Sequence, residues 1–169
     1  TLYIGGLAGK CDEITESFNC GNIIGDNQVG GVVGRSGGRE ISRCYNQGSV
    51  TGNGGTGGIL GTAANSDYVI SGCYNSGAIS ADSWARGPIV GSHEGSRTCS
   101  AKIVDSYYHK SYVSDNKKGL SNHHCINDYS TELADQNSQS VLTSLEQNKN
   151  SIQNMKQDDT IAYKLYEKY

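Results

Sequence analysis

Proline and most bulky apolar residues are nearly missing from this 169-residue chain, in which proline, phenylalanine, tryptophan and methionine occur once each. A collagen helix, which needs glycine at every third position together with proline, is therefore excluded. The scarcity of bulky side chains also argues against a conventional large core. No apolar run approaches the roughly 18 residues of a membrane span. A net charge of −3 gives no basic surface for nucleic acid, and an 18% charged fraction is too low for a charge-expanded disordered chain.

Glycine, by contrast, is abundant and unevenly placed. All but one of the 23 glycines lie in residues 1–116, and residues 117–169 contain only Gly119. The second part is rich in Ser, Asn, Gln and Lys and contains helix-forming stretches. The composition therefore predicts two parts: a repeat region over 1–116, and a C-terminal loop and helical capping segment over 117–169.

Two alternating patterns define an internal repeat. The first is Gly-Gly-apolar-apolar-Gly, found at residues 5–9, 30–34 and 57–61, with a degenerate copy at 87–91. The second begins with isoleucine and reads Ile-x-x-Cys-Tyr-Asn-x-Gly-x-apolar in its clearest copies, at residues 14–23, 41–50, 70–79 and, degenerate, 103–112. Two independent patterns in fixed alternation are a strong sign of a repeat architecture.

The repeat length and composition predict a parallel β-solenoid (β-helix) of about four rungs. Each unit carries too many glycines for helices and reads as short strands between turns. Such a unit cannot bury its own apolar face, so successive units stack about 4.8 Å apart and share a narrow core. A propeller is less suitable, because a blade needs roughly 40 residues or more.

These elements, with Cys-Tyr-Asn-x-Gly at residues 44–48 and 73–77, resemble GLUG-motif repeats. The resemblance covers about residues 3–113 and is weakest in the fourth unit, where Pro88 interrupts the glycine pattern. It implies a bacterial secreted or cell-surface protein of the adhesin type, or the non-catalytic part of an IgA-peptidase-type metallopeptidase. It carries no catalytic residues to transfer.

In-register stacking predicts ladders of equivalent side chains. An aromatic ladder contains Phe18, Tyr45, Tyr74 and Tyr107, and an amide ladder beside it contains Asn19, Asn46 and Asn75 and ends at Tyr108. Stacked amides favour register, so we interpret the asparagines as structural. The aromatic ladder has two interpretations: an exposed platform for a sugar ring or a partner protein, or a surface covered by a loop or the C-terminal segment.

Period-2 alternation also predicts which ladders are buried. The charged position, Glu16, Arg43, Gly72 and Asp105, should face water, which places Ser17, Cys44, Cys73 and Ser106 inside and the aromatic ladder outside. The isoleucines two residues before the charged position also need the core: Ile14, Ile41, Ile70 and Ile103. A bulge or bend must therefore intervene, and alternation alone does not fix its position.

Six cysteines, an even number, are compatible with disulfides in a secreted chain. Cys44 and Cys73 occupy one repeat position, where parallel side chains are poorly oriented for a bridge. We predict that these two are buried and unlinked, and that any disulfide lies among the others: Cys11, Cys20, Cys99 and Cys125.

No established catalytic motif occurs, and His123-His124-Cys125, with His109 and Asp128 nearby, lacks zinc-ligand spacing. We therefore predict no enzyme activity, no metal and no cofactor. Helices over residues 140–169 are expected to cover the C-terminal end of the solenoid. Because Thr1 precedes a repeat almost directly, we expect further solenoid or another subunit at the N-terminal end.

The functional hypothesis is a non-enzymatic display or adhesion module in an extracellular or bacterial surface setting, with a host or environmental glycan or protein as partner. Two alternatives stay open: a carbohydrate-binding module using the tyrosine ladder, and an accessory domain of a surface peptidase or glycan-cleaving enzyme.

Overall fold

The computed structural model describes residues 2–65, 67–82, 85–94, 101–109, 127–128 and 131–133, all in the compact unit Thr1–Ala134. These residues form a parallel β-solenoid, which confirms the predicted fold class, with about three turns where the sequence predicted about four rungs. They contain no helix, and hence none long and apolar enough to cross a membrane. The predicted helices over 140–169 lie outside the described residues.

Four parallel sheets form the faces of the solenoid, and each takes strands from successive turns. Sheet A contains Ile4–Gly5 (β1), Asn27–Gly30 (β5), Gly54–Gly57 (β9) and Arg86–Gly87 (β14). Sheet B contains Ala8–Thr15 (β2), Val33–Ser42 (β6), Leu60–Ala63 (β10), Val69–Ser71 (β11), Val90–His93 (β15), Lys102–Val104 (β16) and Asn127–Asp128 (β18). Sheet C contains Phe18–Asn19 (β3), Tyr45–Asn46 (β7), Tyr74–Asn75 (β12), Tyr107–His109 (β17) and Thr131–Leu133 (β19), and sheet D contains Ile23–Ile24 (β4), Val50–Gly52 (β8) and Ile79–Ala81 (β13).

Three turns contribute strands to all four sheets, a fourth contributes β14 to β17, and β18 and β19 begin a fifth. On sheet A, Ile4 pairs with Val29, Val29 pairs with Thr56, and Thr56 pairs with Arg86. Pairing continues past residue 116, because β18 pairs with β16 and β19 pairs with β17. The change in composition near that residue therefore does not end the parallel strand pairing.

The number of residues per turn increases mainly at one corner of sheet B. Cys11 pairs with Ser36, 25 residues later, whereas Ile14 pairs with Ile41, 27 residues later. A similar increase recurs at this corner in each following turn, where sheet B breaks into β10 and β11 and then into β15 and β16. The pairs on each side of this corner keep a constant register of their own.

The bend that alternation requires lies at the charged position between sheets B and C. Glu16, Arg43 and Asp105 adopt left-handed backbone conformations with φ of 49°, 50° and 47°, and Gly72 has φ of 60°. One residue in this conformation turns the strand, so the isoleucine two residues earlier and the serine or cysteine one residue later can both face inward. Ile41, Ile70 and Ile103 are accordingly buried.

Close backbone packing explains the glycine pattern. A Cβ on the first glycine, as at Gly30, would collide with the carbonyl oxygen of Val33. On the second, as at Gly31, it would collide with the Gly58 carbonyl of the next turn and with the Asn46 side chain. On the third, as at Gly34, it would collide with the backbone of sheet A. The pattern is therefore a packing requirement at three separate contacts.

A narrow apolar core runs along the axis between the sheets. It consists mainly of valine, isoleucine and cysteine side chains, with Leu60, Tyr68 and Tyr108 as larger members; the valines, isoleucines and cysteines are Val32, Val33, Ile41, Cys44, Ile59, Ile70, Cys73, Ile89, Val90 and Ile103. Stacking turns makes one continuous core from units that could not fold singly.

Candidate functional site

The outward face of sheet C carries the predicted aromatic ladder. Phe18 pairs with Tyr45, Tyr45 with Tyr74, and Tyr74 with Tyr107, one residue from each turn. All four are half-buried, which agrees with the outward direction that alternation predicts. The structure thus brings the four predicted binding residues together in one row.

The rings in the middle of this row stack on each other. The centroids of Tyr45 and Tyr74 are 5.3 Å apart, and their planes differ by 9°. Nearly parallel rings at this separation form an offset stack, so the overlapping parts of their faces contact each other. Burial raises the pKa of the Tyr45 phenol, and hydrogen bonds with Ser76 and Gln47 oppose this only partly. The stack leaves less ring face free between these two residues than rings lying side by side would offer.

Two further ladders flank the aromatic one. On one side lie Cys20, Gln47 and Ser76, and the Cys20 thiol lies 3.3 Å from Gln47 Oε1. On the other side, Arg43 Nη2 lies 2.8 Å from Glu16 Oε1 in an exposed ion pair. We call the aromatic ladder with these two flanking ladders the sheet C face. It offers phenol, amide, hydroxyl and charged groups side by side.

The amide ladder behind this face confirms the predicted structural role of the asparagines. Asn19 Nδ2 donates to Asn46 Oδ1 at 2.8 Å, and Asn46 Nδ2 donates to Asn75 Oδ1 at 2.8 Å. Each Nδ2 also donates to the carbonyl two residues on, as Asn46 does to Gly48 at 2.8 Å. Asn46 and Asn75 are almost fully buried. The ladder holds the sheet C face in register from within.

Cys44 and Cys73 lie in the core, as predicted, and both are free thiols. Burial raises the pKa of Cys73 well above its ordinary value, and a hydrogen bond from Cys73 lowers that of Cys44. Cys11 and Cys20 are also free. Cys99 and Cys125 lie outside the described residues, so disulfide pairing that involves them stays a prediction.

A second polar cluster, which the sequence analysis missed, lies near the corner of sheets A and B. Arg35 Nη2 is 3.0 Å from Glu94 Oε2, and Gln28 Nε2 donates to Glu94 Oε1 at 2.6 Å. The Arg35 guanidinium also lies 5.4 Å from the centroid of the Tyr3 ring. Its members come from turns up to 66 residues apart in sequence. The register that brings them together depends on the corner where chain length drifts, so no local motif could reveal the cluster.

The described residues contain no group of three or more His, Cys, Asp or Glu side chains placed to hold a metal ion. His123, His124 and Cys125 lie outside them. The charged position at the bend carries the Glu16–Arg43 ion pair and places Gly72 between Arg43 and Asp105. This arrangement is that of a surface ladder.

Comparison with known proteins places the chain in no group. No family model, no curated protein and no solved structure matches it.

Proposed function

We propose that this chain is a non-enzymatic display and adhesion module of a secreted or cell-surface protein, which binds a glycan or protein partner through the sheet C face. The observation that carries the proposal is the row of equivalent outward groups on this face, one set from each turn. The resemblance to GLUG-motif repeats supports a bacterial surface setting. A helical segment over residues 140–169 that covers the C-terminal end would complete the module.

The fold suits such a role because each turn repeats the same outward chemistry. Parallel strands in neighbouring turns are about 4.8 Å apart, so the face presents similar groups at regular short intervals. A partner with its own repeating polar groups, such as an extended glycan, can form many weak contacts at once. Half-buried rings and a buried amide ladder hold these groups in place, which reduces the entropy lost on binding.

The stacked geometry also specifies how a sugar would be held. Because Tyr45 and Tyr74 occupy each other's facing surfaces, a sugar lying flat across both rings is not the arrangement that this geometry favours. Hydrogen bonds to phenol hydroxyls and to Gln47 and Ser76 are the chemistry that remains. The carbohydrate-binding alternative therefore takes a form in which the sugar forms hydrogen bonds at the edges of the tyrosine rings and does not lie on their faces.

The test is binding of the full chain to glycan arrays and to surface and matrix protein arrays. We expect retained ligands to be lost in the double variant Tyr45→Phe, Tyr74→Phe, which keeps ring stacking and removes only the hydroxyls. The matched control is Thr51→Val, an exposed hydroxyl removal on sheet D. No retained ligand, or binding equal in both variants, would contradict the proposal.

A further inference from the structure

Gln28, in the polar cluster near the corner of sheets A and B, combines two unfavourable features. Its backbone is left-handed, with φ of 53°, and the strand pairs on either side place it opposite Gly55, where φ is 58°. Glycine adopts this conformation at little cost, whereas glutamine is strained in it. Gln28 Oε1 is also buried, and no described residue donates a hydrogen bond to it. A buried acceptor without a donor is a further cost to folding.

The contacts that this cluster forms do not offset those two costs. The Glu94 carboxylate accepts from Arg35 Nη2 at 3.0 Å and Nε at 3.3 Å, and from Gln28 Nε2 at 2.6 Å. The side chains of Arg35 and Glu94 are 22% and 42% exposed, and ion pairs with this exposure contribute little to stability. Stability therefore does not explain the conformation of Gln28, and binding of a ligand is the alternative explanation.

The contacts of Glu94 define what kind of group the cluster can bind. Its Oε2 accepts from the Arg35 guanidinium, and its Oε1 accepts from the Gln28 amide, so both oxygens of the carboxylate have donors. The Tyr3 ring lies 5.4 Å from Arg35 Cζ and supports the guanidinium through a cation–π contact. Arginine with a second donor is an arrangement that suits a carboxylate. Glu94 thus occupies a carboxylate site within its own chain.

Two hydroxyl groups lie next to Gln28 at the backbone of Gly55. A Cβ at Gly55 would collide with Thr62 Oγ1, and it would lie 2.9 Å from Ser92 Oγ and 3.5 Å from Gln28 Cα. The two hydroxyls are 2.6 Å apart, and the hydrogen bond between them uses only one of their two hydrogens. Among the described residues neither hydroxyl has a further partner. One hydroxyl hydrogen and Gln28 Oε1 are therefore available to a hydroxyl group, which both accepts and donates.

We call these residues the corner cluster: Gln28, Arg35, Thr62, Ser92 and Glu94. We infer that the corner cluster binds a carboxylate that carries a neighbouring hydroxyl group, as in a sugar acid or a small hydroxy acid. The ligand carboxylate replaces that of Glu94 on Arg35, and the ligand hydroxyl donates to Gln28 Oε1. Glu94 is exposed enough to leave the site without disturbing the core. An acidic side chain of a partner protein fits less well, because it has no hydroxyl to donate.

The test is titration of the full chain with sodium D-glucuronate, followed by NMR shifts of the Arg35 Nε–H and the Gln28 side-chain amide. Glu94→Gln removes the competing carboxylate and keeps the size of the side chain. We expect this variant to bind glucuronate about fivefold more tightly or better, because the apparent affinity of the wild type is reduced while Glu94 fills the site. Arg35→Gln should abolish binding.

The matched control is Glu16→Gln, the same change in the exposed ion pair with Arg43, and it should leave the affinity unchanged. Acetate, which has no hydroxyl, and glucose, which has no carboxylate, should bind more weakly than glucuronate. Lactate separates the two sources of this chemistry: weaker binding than glucuronate supports a sugar acid, and binding as tight or tighter supports a small hydroxy acid.

Three results would overturn the inference. The first is no binding of glucuronate or lactate by Glu94→Gln. The second is equal affinity for acetate and both hydroxy acids, because the Gln28 acceptor and the hydroxyl pair would then have no role. The third is equal tightening in Glu16→Gln, because the gain would then follow from net charge and not from the emptied site.

Discussion

Replacing Asn46 with aspartate is the sharpest probe of the amide ladder, because it removes two hydrogen-bond donors at nearly constant volume. Asn46 is fully buried, and its Nδ2 donates to Asn75 Oδ1 and to the Gly48 carbonyl, each at 2.8 Å. An aspartate oxygen in its place would face two acceptors. Leaving buried groups unsatisfied costs about 1–3 kcal/mol each, so we expect a loss of about 2–6 kcal/mol in the free energy of unfolding.

The loss should depend on pH in a defined direction. Burial among acceptors raises the pKa of the introduced carboxyl in the folded state above its unfolded value of about 3.9. The folded state then binds the proton more tightly, so the destabilisation grows as pH rises from about 4 through the folded-state pKa. Near pH 4.5 the protonated acid can donate one hydrogen bond, and the variant should be closer to wild type there than near pH 8.

The assay is urea unfolding followed by far-UV circular dichroism at both pH values. The matched control is Gln47→Glu, the same chemical change one residue later on an exposed side chain. Surface substitutions of this kind usually change stability by about 0.5 kcal/mol or less. Equal losses in the two variants, or a loss at Asn46 that shrinks as pH rises, would refute the reasoning.

Three further substitutions or reactions test other parts of the structure. Gly31→Ala should lower the melting temperature strongly, because the added Cβ collides with the Gly58 carbonyl. Gly37→Ala should leave the melting temperature nearly unchanged, because its Cβ makes only an ordinary 3.7 Å contact. Equal melting temperatures of the two variants would contradict the packing explanation. When the native protein is alkylated and mapped by mass spectrometry, exposed Cys20 should react rapidly and buried Cys73 only after unfolding. Burial both shields the Cys73 thiol and raises its pKa. Rapid labelling of Cys73 in the native protein would be inconsistent with its place in the core. Because φ is 47° at Asp105, Asp105→Gly should be at least as stable as wild type, whereas Asp105→Val should lose about 1–2 kcal/mol in the free energy of unfolding. The reverse order of stability would argue against the left-handed bend.

The repeat spacing, the ladders and the buried cysteines could be predicted from sequence because they follow from register. Once residues 25–30 positions apart are stacked, Asn19, Asn46 and Asn75 must be neighbours, whatever the exact shape of the turn. The bend at the charged position could only be inferred to exist. Its left-handed φ values occur at glutamate, arginine and aspartate, and by residue type only Gly72 and, to a smaller degree, Asp105 favour that conformation.

The ring geometry of the candidate site was less predictable. The order of side chains fixes which tyrosines are adjacent but not their χ angles, and these decide whether faces or edges meet solvent. Tyr45 and Tyr74 stack on each other, which changes the binding chemistry expected of the ladder. The Arg35–Glu94 cluster depends on contacts between distant turns, for which no local pattern exists.

At one corner of sheet B the number of residues per turn increases without changing the strand register in the rest of the turn. Between Ser36 and Glu40 the register shifts by two residues, yet Asn46 and Gly57 still meet their partners in neighbouring turns. Insertions at this corner therefore cost mainly loop-closure entropy, which grows only slowly with length, provided that they keep the buried contacts of Tyr68. A lineage can change the length of this edge of the solenoid while the amide ladder and the glycine contacts keep the register of the neighbouring turns.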